Sequence, residues 1–158
     1  YRYDNVITLR TFSKVHGLAG FRVGDGFAND KLISSLMKVK LPFEPSSLGQ
    51  AAACAALEDE QHLIDSIKIN NIEKEKLELF LKKINIEYIP SATNFLTLKF
   101  NSFDTANLFC DKLLKKGVIL RNLESFGLPE CVRITIGTEF ENKVLIDNIK
   151  KLEFIKCT

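Results

Sequence analysis

From residue 94 onward the sequence switches back and forth between a two-residue and a helical hydrophobic period, and that alternation leaves few folds open to it. Residues 94–100 (Asn-Phe-Leu-Thr-Leu-Lys-Phe) read as a strand. Asp104 is placed to cap a helix running to residue 116, which Gly117 then stops. Residues 118–121 and 132–136 read as two further strands, and residues 139–154 as a closing amphipathic helix on Val144, Ile146, Ile149 and Leu152. Strands and helices that alternate at such short intervals bury their apolar faces against each other most simply as a small two-layer α/β unit.

The preceding part is organised differently. Residues 62–84 form one long amphipathic helix in which Leu63, Ile67, Leu77, Phe80, Leu81 and Ile84 are apolar, while Glu73, Lys74, Glu75, Lys76, Glu78, Lys82 and Lys83 alternate in sign as a solvated face does. Before it, residues 48–57 are nearly all alanine, a composition that lets a helix pack closely on a neighbour. Pro42 and Pro45 break the chain ahead of that helix, and Ser46 or Ser47 can cap it. A shorter helix over residues 31–40, capped by Asn29 or Asp30, carries Leu32, Leu36 and Val39 on its apolar face. Residues 5–28 read as strand, loop and strand: the run Val6-Ile7-Thr8-Leu9 as a buried strand, and Phe21-Arg22-Val23 as the second.

A net charge of +2 is too small to argue for nucleic acid or a membrane surface, and no apolar run approaches the length of a transmembrane helix. The four cysteines (Cys54, Cys110, Cys131, Cys157) form no C-x-x-C pair and have no histidine at metal-ligand spacing, so reduced, core-packed thiols and a cytoplasmic setting are expected.

The chemistry concentrates in the loop between the first two strands. Lys14 stands between small hydroxyl residues and a glycine-rich turn, and Arg22 follows eight residues later. A lysine amine withdrawn from water or set near other cations loses its proton and becomes a nucleophile toward an aldehyde. Thr11 and Ser13 offer hydroxyls, the loop offers backbone N–H groups, and the planar guanidinium of Arg22 suits the two-point binding of a phosphate. Two more arginines, Arg121 and Arg133, lie in apolar strands, where a guanidinium either reaches water at a strand end or meets an anion.

The string Thr11-Phe12-Ser13-Lys14 followed by Gly17-Leu18-Ala19-Gly20-Phe21-Arg22-Val23-Gly24 resembles the lysine signature of the fold-type I aminotransferases that use pyridoxal 5'-phosphate (PLP), and more narrowly their histidinol-phosphate branch. The likeness runs from about residue 5 to residue 154. It implies that Lys14 binds the cofactor aldehyde covalently and that Arg22, with Ser13 and Thr11, holds the cofactor phosphate. Val132-Arg133-Ile134-Thr135-Ile136-Gly137-Thr138 is similar to the family motif whose arginine binds the substrate carboxylate or phosphate. Ile119-Leu120-Arg121 matches a second arginine of the histidinol-phosphate branch, and Asn94 an asparagine that helps to hold a carboxylate. Which arginine meets which anion stays open.

The resemblance further implies an α/β fold corresponding to the C-terminal part of such an enzyme. Residues 1–60 would be the end of the large PLP-binding domain, and residues 61–158 the interdomain helix and the small C-terminal domain. The Pro-Phe-Glu-Pro stretch and the alanine-rich helix recur in that branch near the active site and subunit contact. The sole methionine is Met37 and the family has a long portion upstream of its lysine, so the chain is expected to be part of a longer homodimeric protein and inactive in isolation. The implied reaction transfers the amine of histidinol phosphate to 2-oxoglutarate, giving glutamate, in histidine biosynthesis. The alternatives are an aromatic amino-acid aminotransferase, a threonine-phosphate decarboxylase, or a module that binds a phosphate or a partner without chemistry. Other signatures are lacking: His16 and His62 accompany no serine or cysteine nucleophile motif, and the glycines do not spell G-x-G-x-x-G. Asp25 departs from the family pattern, in which tyrosine is frequent.

Overall fold

The computed structural model describes residues 3–152, so the end of the predicted closing helix at Glu153 and Phe154, and Cys157, lie outside the described residues. The chain divides between Ile67 and Lys68 into two compact units, and the longest helix runs across that division.

In the first unit, strands β1 (Thr8–Thr11) and β2 (Gly24–Phe27) pair antiparallel, with Thr8 opposite Phe27 and Thr11 opposite Gly24. The predicted buried strand over residues 6–9 is thus shifted by two residues, and all four positions of β1 are exposed. A two-stranded ladder offers each side chain only one neighbouring strand, so the apolar run gains little cover. The predicted strand at Phe21-Arg22-Val23 is absent. Ala19–Phe21 form a 3₁₀ turn and Arg22 takes the left-handed backbone (φ 53°), which reverses the chain so that Val23 enters the core while Arg22 stays outside.

Helix α1 (Asp30–Met37) starts at Asn29, whose Oδ1 accepts the Leu32 N–H at 2.9 Å. Helix α2 (Ser47–Glu58) starts at Ser46, whose Oγ accepts the Gly49 N–H at 3.1 Å. The alanines do permit close packing: a Cβ on Gly49 would stand 3.2 Å from the Phe21 carbonyl oxygen, and Ala53 joins Phe12 and Val23 in a small buried cluster. Cys54, expected in the core, is on the exposed side of α2, because the helix turns only one stripe inward.

Helix α3 (Glu60–Lys83) begins where Asp59 Oδ1 accepts the His62 N–H at 3.0 Å. The second unit then continues with β3 (Glu87–Ile89), β4 (Phe95–Lys99), α4 (Phe103–Leu114), β5 (Arg121–Asn122), β6 (Cys131–Thr135) and α5 (Glu139–Ile149). The strands form one antiparallel sheet in the order β3-β4-β6-β5, so β4 and β5 are joined through α4 with β6 inserted between them. Leu96 opposes Ile134 and Leu98 opposes Val132 on one face. Against them pack Leu77 and Leu81 of α3, Ala106, Phe109 and Leu113 of α4, and Leu145 and Ile149 of α5. This is the expected two-layer α/β arrangement, with all three helices on a single face.

In the second unit, three details differ from the sequence expectation. The N-cap of α4 is Ser102 rather than Asp104: Ser102 has extended backbone and its Oγ accepts the Thr105 N–H, which leaves Asp104 in the first turn. The strand expected over residues 118–121 shrinks to Arg121 and Asn122, since β5 is an edge whose only ladder partner is β6. Strand β3 is an addition that the hydrophobic periodicity does not anticipate. Among the described residues no helix is long and apolar enough to cross a membrane.

Candidate functional site

The Lys14 loop is closed at its mouth and pinned along its length by the backbone. The β1–β2 ladder continues one residue past the strands through the Phe12 N–H to the Val23 carbonyl (3.3 Å), so Ser13 and Arg22, the next residues on either side, flank the same opening. Within the loop, the Gly17 N–H donates to Lys14 O, the Leu18 N–H to Phe12 O and the Phe21 N–H to Leu18 O, all within 3.1 Å. Gly17 adopts φ 69°, a conformation that costs a residue with a Cβ but not glycine. Thr11 Oγ1 accepts the Ser13 N–H at 3.1 Å.

Lys14 and Arg22 are both exposed, and neither forms an ion pair among the described residues. Arg22 spends one donor locally, from Nη1 to Ala19 O at 3.2 Å. Two cationic side chains and two hydroxyls on one pinned loop make a donor set suited to a phosphate dianion. The structure also fastens the loop through two residues that the sequence left without a role. His62 of α3 donates its Nε2 proton to the Val15 carbonyl at 3.0 Å, and the His16 ring lies 4.9 Å from that of Phe12, which is buried. Nothing in the spacing of two histidines 46 residues apart could have signalled the first contact. Asp25, the departure from the family pattern, is held across the strands by Arg10, with Nη2 to Oδ2 at 2.7 Å.

The second cluster lies on the open face of the four-stranded sheet, in the other unit. Strand alternation puts Val132 and Ile134 into the core and turns Arg133 the other way. Arg121 of β5 stands directly opposite Arg133, and Thr97 of β4 opposes Arg133 on its other side, so two guanidiniums and a hydroxyl share one row across three strands. Neither arginine has a hydrogen-bonded or ion-paired partner among the described residues. Each rests instead on an aromatic ring: Arg121 Cζ is 5.2 Å from the centre of Phe126, and Arg133 Cζ is 5.4 Å from that of Phe95.

Asn94 is not brought into this row. It precedes β4 by one residue and accepts the Ile136 N–H on its backbone carbonyl at 2.9 Å, and its strand parity is that of Leu96 rather than Thr97.

Behind the row, a buried polar network locks the end of β6. Asn142 of α5 accepts the Gly137 N–H on Oδ1 (3.1 Å) and donates through Nδ2 to the Gly137 carbonyl (3.1 Å) and to Glu73 Oε2 of α3 (3.0 Å). Glu73 is 4% exposed, and its other oxygen accepts from Lys76 at 2.6 Å. The Lys76 hydrogen bond first, and that of Asn142 second, hold the Glu73 carboxyl below its ordinary pKa against the opposing effect of burial.

Residues 1–149 match the family model for aminotransferases of class I and II. Among curated proteins, the chain is 44% identical over 150 residues to a histidinol-phosphate aminotransferase of Campylobacter jejuni, covering 95% of this chain and 41% of that relative. It is 40% identical to histidinol-phosphate aminotransferase 1 of Bacillus cereus, covering 96% and 40%. Of solved structures, the histidinol-phosphate aminotransferase of Sinorhizobium meliloti in complex with pyridoxal-5'-phosphate superposes with a TM-score of 0.86 at 28% identity, over 99% of this chain and 42% of that one. The chain therefore spans about two fifths of the length of the relatives it matches. With a family model covering nearly all of its residues and a fold that superposes on that family's structures, the chain belongs to the class I and II aminotransferases.

Proposed function

We propose that the protein containing this chain is a PLP-dependent aminotransferase that moves the amine of histidinol phosphate to 2-oxoglutarate in histidine biosynthesis. The observation that carries the substrate is the pair of facing guanidiniums, Arg121 and Arg133, which have no anionic partner among the described residues. A phosphate monoester bearing an amine, and a dicarboxylic acid in the second half-reaction, each supply an anion to such a row. The names of the Campylobacter and Bacillus relatives support the same substrate.

In this reading, Arg22, Ser13 and Thr11 would hold the phosphate of PLP, and Lys14 would hold the cofactor through its aldehyde carbon. The cofactor supplies an electron sink for the pair left when the substrate Cα–H bond breaks. The Lys14 amine would take that proton as general base and later return one as general acid. Arg121 and Arg133 hold the anionic end of the substrate, and Asn94, which stands outside their row, would reach a carboxylate only from the strand end. Residues 1–60 complete the large cofactor-binding domain and residues 61–158 form the interdomain helix and small domain. The enzyme is a cytoplasmic homodimer. Support for a subunit contact comes from the exposed apolar side chains of the first unit, among them Phe43 (95% exposed) and Leu48 (73%).

Borohydride reduction of the complete gene product saturated with PLP tests the reading. A pyridoxyl mass on the peptide carrying Lys14 is expected, and its absence removes the enzyme in favour of a binding module. Steady-state rates with histidinol phosphate, phenylalanine and threonine phosphate then separate the transaminase from its aromatic and decarboxylating alternatives. Histidinol phosphate should be preferred by at least an order of magnitude in kcat/KM.

A further inference from the structure

Phe126 has no part in the core. It is 60% exposed, yet the loop that carries it is tied down at every turn. The Phe126 and Leu128 N–H groups both donate to Leu123 O (2.9 and 3.2 Å), the Leu123 N–H donates to Cys131 O and the Cys131 N–H to Leu128 O (3.0 Å each), and the Glu124 N–H donates to Asn122 Oδ1 (2.7 Å). Leu123 is buried beneath, and Gly127 supplies the left-handed turn (φ 76°) that ends the 3₁₀ segment Glu124–Phe126. The Phe126 ring, held out on this pinned loop, has the Arg121 guanidinium over it, Cζ 5.2 Å from its centre.

We infer that Phe126 is a positioning residue of the anion site: it holds Arg121 beside Arg133 in the geometry that receives the anionic end of the substrate. The inference rests on the proposed transaminase reading. An exposed arginine free in water explores many rotamers, and one that faces a second arginine across a strand pair is pushed away from it. The electron-rich ring face attracts the guanidinium and counters that push without consuming any of its N–H donors, all of which remain for an anion. An arginine already in place loses less freedom when the anion arrives, so the ring acts on binding rather than on bond breaking. Phe95 does the same for Arg133, but it is half-buried in β4, whereas Phe126 is replaceable without touching the core.

The test uses the holoenzyme from the complete gene. Phe126→Leu and Phe126→Met should each raise KM for histidinol phosphate about two- to five-fold, the range of an exposed cation–π contact, with kcat within about 1.5-fold of the parent. They should raise by the same factor the inhibition constant of an imidazolylpropyl phosphate that lacks the amine. Phe126→Tyr, which keeps the ring, should restore both constants to the parental level. If Arg121→Gln weakens both ligands at least ten-fold while the Leu and Met variants stay within about 1.3-fold of the parent, the positioning role is refuted and the anion site stands. If Arg121→Gln changes neither constant, or the holoenzyme does not use histidinol phosphate at all, the underlying reading fails and this inference falls with it.

Discussion

Replacing Asn142 by alanine tests the account of how α3 and α5 lock the end of the arginine-bearing strand. The substitution removes three hydrogen bonds: two to the Gly137 backbone and one to Glu73. The neutral pair is worth about 1 kcal/mol each, and the bond to a carboxylate about 1.5–3 kcal/mol. Water entering the space vacated by the amide recovers part of this, so a net loss of about 3 kcal/mol at neutral pH is expected. The loss should also depend on pH. Because the Glu73 pKa is lowered in the folded state, its carboxylate stabilises the fold above its ordinary value of 4.5, and that contribution is lost as pH falls through the lowered value. Without Asn142 one of the two lowering hydrogen bonds is gone and the pKa rises toward the ordinary value. The gap between parent and variant therefore narrows below about pH 4.5, toward the roughly 2 kcal/mol of the Gly137 pair. Hydrogen exchange of the β6 amides is the suitable assay, because it reads the opening of this unit even where a larger chain unfolds in several steps. A drop in opening free energy under about 1 kcal/mol, or a gap that stays constant as pH falls from neutral through the Glu73 titration, would refute the reasoning.

Three further outcomes follow from named contacts. With a thiol reagent at about pH 8, exposed Cys54 should label well before Cys110, whose thiol is pushed up to about 11 by burial and, secondarily, by Asp111; peptide mass spectrometry that found Cys110 labelled first would contradict this. Gly24→Ala puts a Cβ 2.7 Å from the Arg10 carbonyl oxygen, so the β1–β2 pair must shift, and exchange protection at its ladder should fall by about 1–3 kcal/mol. Arg121→Gln or Arg133→Gln removes one of two like charges that face each other but also that arginine's ring contact, two terms of similar size, so in anion-free buffer hydrogen exchange of the β6 amides should change by less than about 1 kcal/mol while affinity for the phosphorylated substrate is lost.

What the sequence made legible is what depends on local periodicity. The Leu96–Leu98 and Val132–Ile134 alternations, the length of α3, and the serine and asparagine caps at Ser46 and Asn29 are all written within a few neighbouring residues. Lys14 and Arg22 were visible as a spaced pair, but the local apolar pattern around Arg22 misread its backbone, because φ/ψ at a turn is set by how the chain must reverse and not by the hydrophobicity of Phe21 and Val23. The same limit explains Ser102: serine and aspartate two residues apart are both good caps, and only the extended backbone at Ser102 decides between them. Contacts made across the chain left no trace in spacing. His62 on the Val15 carbonyl, Asn142 on Glu73 and Phe126 on Arg121 each depend on tertiary placement.

The facing arginines join these levels into one argument. A sheet made for stability alone would not set two guanidiniums opposite each other, because the pair repels and each must be kept solvated or supported. Here each is supported by an aromatic ring, and neither by an acid among the described residues, although glutamates occur nearby in sequence at Glu124 and Glu130. An internal carboxylate would have relieved the repulsion permanently and left no capacity for a ligand. Rings relieve only part of it and keep the positive field intact, so the row is least strained when an external anion is bound between the two side chains. In the proposed reading, the stability given up by the free protein reappears as affinity for a substrate that brings the missing charge.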